Sequence, residues 1–139
     1  MYEFFRWWLV AVFVALTVGG AVLVPLAGSP RLAVVLRALD RPFWPDGPDD
    51  VTRRFQTFVY SVAFATMAGW GVAGAFIAAG PLANRERWAW WALVVSVAVW
   101  YPLDTGRSLQ HGARANAVGS TILLALVAIP LGAMFGGLH

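Results

Sequence analysis

Asp104, Arg107, Ser108 and His111 stand at i, i+3, i+4 and i+7, a spacing that puts all four on one face of a helix. Beyond a short turn come Arg114 and Asn116, with Ser120 one helical turn past Asn116. Two kinds of chemistry suit these residue types. A carboxylate and an imidazole tuned by burial can pass protons, which makes Asp104 and His111 the candidate catalytic pair. A carboxylate, two guanidiniums, a hydroxyl and an amide can together grip a polar group. That makes Asp104, Arg107, Ser108, Arg114 and Asn116 the candidate ligand-binding set. Two plainer readings stand beside these. In one, Asp104 pairs with Arg107 or Arg114 and pins a helical hairpin, with Ser108 or Asn116 completing its acceptor sites. In the other, the helix ends at Tyr101 and Asp104 lies in water. His111 alone is weak evidence, and His139 carries no weight.

The elements that must position this cluster follow from composition. The chain has 139 residues, 60% of them apolar and 12% charged, about half the charged share usual in soluble domains. Seventeen charged side chains cannot coat so small a domain. A soluble enzyme is thereby excluded. The net charge of +3 points to no nucleic-acid partner, because the arginines sit between apolar blocks rather than on one polar face. With no Cys there are no disulfides, thiolate metal sites or cysteine nucleophiles. Neither His has acidic neighbours at ligand spacing, so neither a metal nor a cofactor is expected. All ten basic residues are Arg, which with the abundant Ala, Gly, Val and Pro suggests a GC-rich bacterial genome. The expected location is the bacterial inner membrane. The expected partners are membrane lipids, with a homo-oligomer or a larger membrane complex also in view.

Charges cut the chain into four uncharged blocks: Trp7 to Pro30 with 24 residues, Gln56 to Asn84 with 29, Trp88 to Leu103 with 16, and Ala115 to Leu138 with 24. A helix crossing a hydrocarbon core of about 30 Å needs about 20 residues. The third block is a turn too short. Its helix must therefore run on through Asp104 and Thr105 to about Arg107 or Ser108, which carries the Asp104 carboxylate roughly 5 to 8 Å inside the helix end. Pro102 loosens the turn before it. The predicted fold is an all-α, four-helix integral membrane bundle in a single domain, residues 1–139. Its helices cover about 5–28, 48–80, 86–110 and 114–137. Trp7, Trp8, Trp88, Trp90 and Trp91 are expected at the interfaces, where indole is favoured.

The first block is too long for a cleaved signal peptide, and the Pro25 to Ser29 stretch is a poor cleavage site. After it, Ser29-Pro30 forms an N-cap and first-turn pair for an amphipathic helix over about 30–40 that lies flat on the bilayer. Arg37, Asp40 and Arg41 share one face of this helix, with Leu32, Val35, Leu36 and Leu39 on the others. Pro42 to Pro48 reads as a rigid turn. Asp49 and Asp50 precede Arg53 and Arg54 at i,i+4 spacing, so this charge cluster reads as a capped helix start. In the second long helix, Ala65, Gly69 and Ala73 recur every four residues beside Gly71 and Gly74. That pattern lets helices approach closely in lipid. Trp70 is expected to fill space beside those glycines.

Seven arginines (31, 37, 41, 53, 54, 107 and 114) fall on one side of the four spans and three (6, 85 and 87) on the other. Both termini are therefore expected on one side, and the positive-inside rule makes that side periplasmic.

The run Trp100 to Gly112, followed by Asn116, carries the pattern W-x-x-x-D-[ST]-x-x-S-x-x-x-G and leads into an apolar helix containing Pro130. In this it resembles a family of short bacterial four-helix membrane proteins. Ala68-Gly69-Trp70-Gly71-Val72 is similar to that family's second helix. The resemblance implies four helices and no activity. Three roles stay open: a binding or accessory protein for a lipid-like molecule or a larger membrane complex, a small membrane enzyme acting on a lipid, quinone or sterol-like substrate through Asp104 and His111, and an oligomeric transporter or channel. Small drug exporters carry a carboxylate mid-way along their first helix, and here none follows Glu3. The first role is the one expected.

Overall fold

Long runs of Ala, Leu, Val and Trp, broken by Pro- and Gly-containing turns, become helices in the computed structural model, which describes residues 1–138. His139 lies outside the described residues. The elements are α1 (Tyr2–Leu26), α2 (Pro30–Asp40), α3 (Asp50–Ala79), α4 (Arg87–Gln110) and α5 (Arg114–Met134), with a closing 3-10 turn at Phe135–Gly137. The described residues form no strand. Three stretches, Tyr2–Leu26, Asp50–Ala79 and Arg114–Gly137, are long and apolar enough to cross a membrane. Helix α4 has the length, at 24 residues. Its Trp, Tyr, Pro102 and Asp104 content keeps it out of that apolar group.

Helix α1 is the hub. It packs along α3 on one flank and along α5 on the other; α5 carries α4, and α3 touches α4 lightly. The contacts Gly20 with Phe64, Thr17 with Gly71 and Phe13 with Gly74 run in opposite order along the two helices, so α1 and α3 are antiparallel. Glycine makes that approach possible. A Cβ on Gly20 would stand 2.5 Å from the Phe64 carbonyl oxygen, one on Gly71 2.6 Å from the Thr17 nitrogen, and one on Gly74 inside the Phe13 ring. Phe13 is fully buried and meets Trp70 edge-on with ring centroids 5.6 Å apart. The close face of α3 is thus Gly71, Gly74 and Ala78, on the opposite side of the helix from the expected stripe. Ala65, Gly69 and Ala73 are exposed, and a Cβ on Gly69 meets nothing within 4 Å. The choice of face rests with α1, where Phe13 needs a hollow to fill.

Leu9 and Phe13 continue the core into Ala78, Leu82, Trp90, Leu93, Val97, Val127, Leu131 and Met134. Of the expected interfacial indoles, Trp90 serves this core instead, and Trp8 is half-buried and bonds to α5 outside it. Trp90 is 8% exposed and donates its indole N–H to the Leu131 carbonyl at 2.8 Å, near the end of α5. Trp8 donates to the Leu126 carbonyl at 3.0 Å. That carbonyl lies four residues before Pro130, which has no N–H to offer it. Trp7, Trp88 and Trp91 are exposed.

Each end of the bundle is tied. At one end the Tyr2 hydroxyl donates to the Leu82 carbonyl at 2.7 Å, and Arg85 donates to the Gly137 carbonyl at 3.4 Å. At the other, the ring of Phe43 lies 6.1 Å from that of His111, so the segment after α2 meets the α4–α5 turn. Ser29 caps α2 by accepting from the Leu32 N–H at 3.3 Å, with Pro30 in the first turn. Asp49 caps α3 by accepting from the Thr52 N–H at 2.7 Å. Hydrogen bonding to the Thr52 side chain, then to its N–H, holds the Asp49 carboxyl below the usual carboxylate range. The expected i,i+4 pairs with Arg53 and Arg54 do not form. The cap takes the carboxylate, and Arg53 turns back to the Pro48 carbonyl at 3.5 Å.

Candidate functional site

Helix α4 runs unbroken through Pro102 and carries Asp104 into its interface with α5. There the Asn116 amide donates to both carboxylate oxygens, at 3.3 and 3.1 Å, and to the Ser108 hydroxyl oxygen at 2.7 Å. The Ser120 hydroxyl donates to the carboxylate from one turn further along α5. Ser108 in turn donates to the Asp104 backbone carbonyl at 2.7 Å. Ser108 and Ser120 are buried. Tyr101 and Thr121 extend the seam with a hydroxyl pair at 3.1 Å. The carboxylate is held by neutral donors from the facing helix, and the result is a polar latch between α4 and α5.

The structure brings Asp104, Ser108 and Asn116 together and leaves the other candidates outside. Arg107 donates to Gln110 at 3.1 Å, and Arg114 is exposed. Neither forms the expected ion pair with Asp104; among the described residues the one pair within 4.0 Å joins Arg6 to Glu3, at 2.7 Å. The reason lies in helix geometry. The i and i+4 positions, Asp104 and Ser108, point at α5, whereas Arg107 is rotated toward solvent at the helix end, where a long side chain keeps its charge in water. His111 is exposed beside Phe43. It shares no hydrogen bond with Asp104, so the expected acid–base pair is not assembled.

A second site was not legible as such. Helix α2, the turn Pro42–Pro48 and the first turns of α3 enclose a cleft of about 690 Å³. Ala27, Ala33, Val34 and Leu36 supply an apolar wall, and Arg37, Arg41 and Arg53 bring three guanidiniums to the rim. No ion pair engages those guanidiniums among the described residues. The Tyr60 hydroxyl donates to Asp40, which ties α2 to α3 and occupies one cleft carboxylate. Gln56 also lines the cleft, and its amide nitrogen is buried without a hydrogen-bond partner. The signal for this site was the arginine density of the first loop, which reads equally well as a solvated helix start. A shallower apolar groove of about 560 Å³ runs between α1 and α5, along Phe4, Trp7, Trp8 and Leu126. Neither cleft includes Asp104 or His111.

The fold and these sites define an all-α protein with apolar helices of membrane-crossing length, a polar latch between two of them and a basic cleft at one end. No family model matches the chain, and neither a curated protein nor a solved structure shows significant similarity to it.

Proposed function

We propose that the chain is a bacterial inner-membrane protein that crosses the bilayer four times and serves as a binding or accessory protein for a lipid-like molecule. The observation that carries this is the end cleft, which combines an apolar wall with a guanidinium rim. Helix α3 has 30 residues, about 45 Å, and so outruns a hydrocarbon core by about 15 Å. Its first turns, which floor the cleft, then stand at headgroup level. Helix α4 supports the fourth crossing, because its one deep charge is fully engaged by α5 rather than left bare in hydrocarbon. The enzyme reading loses its proton pair for the reason given above. The transporter reading finds its lone α1 carboxylate, Glu3, already paired with Arg6.

Mild-detergent purification followed by solvent extraction and mass spectrometry tests the binding role. Wild-type protein is expected to carry a lipid near one-to-one, and the Ala33→Trp variant, which fills the cleft, is expected to lose it. Equal lipid content in the two proteins would refute binding at this cleft.

The same reading puts residue 84 and the termini in the periplasm and the seven-arginine end in the cytoplasm. The chain has no native Cys, so single cysteines report cleanly. An impermeant maleimide applied to intact cells should label Asn84→Cys. Arg31→Cys and Gln110→Cys should react only after lysis. The opposite pattern reverses the orientation, and labelling of both Asn84→Cys and Gln110→Cys in intact cells would show that α4 does not cross.

A further inference from the structure

We infer that the first-loop cleft takes the phosphate of an anionic phospholipid, gripped by Arg37, Arg41 and Arg53. This rests on the binding role proposed above and names its ligand class. Three features converge. First, Arg37 of α2, Arg41 just past its end and Arg53 of α3 line one cleft, and guanidinium is the side chain best matched to phosphate oxygens, which it binds through paired N–H groups. Second, these guanidiniums have no carboxylate within 4.0 Å, although two carboxylates are close at hand. Asp40 is engaged by Tyr60, and Asp46 lies exposed on the turn. Three cations therefore face two anions, and the rim keeps a net positive charge. Third, the buried amide nitrogen of Gln56 is a donor with no acceptor, and a buried donor left unpaired is costly. Gln56 lines the cleft, so a turn of its side chain that brings this nitrogen, now out of solvent contact, to the cleft surface gives it a phosphate or glycerol oxygen as acceptor.

A soluble phosphate would satisfy the same donors. The lipid is favoured by the apolar part of the lining, where Ala27, Ala33, Val34 and Leu36 offer nothing to a free anion and a fitting surface to the first methylenes of an acyl chain. Leu36 is buried, so this wall is anchored rather than loose.

The test uses full-length protein in an uncharged maltoside detergent, titrated with dioleoyl phosphatidylglycerol, dioleoyl phosphatidylcholine or inorganic phosphate. Bound lipid is counted by native mass spectrometry. Phosphatidylglycerol should bind more tightly than phosphatidylcholine. The Arg37→Gln, Arg53→Gln double variant should weaken phosphatidylglycerol by about tenfold or more, the effect of losing charge-assisted hydrogen bonds. A matched control, Arg31→Gln with Arg54→Gln, removes the same charge from exposed positions outside the cleft and should stay near wild type. Where the double variant loses helix content, the single Arg41→Gln variant makes the same comparison. Equal losses in cleft and control variants would overturn the inference, because they would report general surface charge. Full competition by inorganic phosphate would overturn it in favour of a soluble anion. Retention of an uncharged lipid, displaced by Ala33→Trp but indifferent to the arginines, would overturn the phosphate assignment while leaving the binding role intact.

Discussion

Gly71→Val is expected to unseat α3 from α1 and to cost about 3 kcal/mol, the upper end of what overpacking does. The new side chain meets backbone on the far side: its Cβ alone would stand 2.6 Å from the Thr17 nitrogen and 2.7 Å from the Phe13 carbonyl oxygen. Backbone cannot swing aside as a flexible side chain can. Either the helices separate along their whole contact or the local turn of α1 distorts. Gly69→Val is the matched control, two residues away on the open face, and should change stability by no more than about 0.5 kcal/mol. Thermal unfolding in detergent, followed by circular dichroism, reads both. Equal midpoints for the two variants would show that the glycine face is not where α1 sits.

The second large effect is at Asp104. Asp104→Leu leaves the Ser120 hydroxyl without its acceptor and the Asn116 amide with Ser108 alone, and the expected loss is about 2 kcal/mol or more. Asp104→Asn is expected to be far milder, under about 1 kcal/mol, because its side-chain oxygen still accepts from Ser120 and no guanidinium depends on the charge. Had the carboxylate been paired with Arg107 or Arg114, the order would differ, since breaking one half of a buried pair costs about 3–5 kcal/mol. The triple change Asp104→Leu, Asn116→Leu and Ser120→Ala removes the donors together with the acceptor and should recover much of the Leu loss. Unfolding in a denaturant titration decides. An Asn variant as unstable as the Leu variant would mean that the negative charge itself is needed.

The parts of this molecule that were legible from its residues are those set by single-helix arithmetic. The 16-residue block before Asp104 forced its helix onward, and α4 does continue through Pro102 to Gln110. The Ser29-Pro30 pair announced α2, which starts at Pro30. The parts that were missed depend on how two helices are rotated toward each other. The spacing of Asp104, Arg107, Ser108 and His111 defines a shared face about 100° wide, yet the interface takes only its Asp104–Ser108 edge. The same holds for α3, where two stripes of small residues were available and Phe13 on α1 selected Gly71 and Gly74. The cleft was hidden for a third reason. Arg37 and Arg53 are brought to one rim by the fold-back at Pro42–Pro48, and no local pattern connects them. Arg6 shows a related limit: counted as a topology marker, it is buried against Glu3, with its guanidinium 4.5 Å from the centre of the Trp7 ring.

The central place of α1, shared between α3 and α5, bears on the order in which a ribosome delivers this chain. When α3 emerges, its partner is already present, and the glycine-lined pair can close before any of α4 exists. Helix α4 then arrives with little to hold it, since it meets α3 lightly and its main partner, α5, is still to be made. For the time of synthesis of about twenty-five residues, at roughly 5–20 residues per second, the Asp104 carboxylate has no α5 donors to receive it. Assembly of the second hairpin is therefore a joint event, completed when Asn116 and Ser120 reach the seam and the finished pair docks on the free flank of α1.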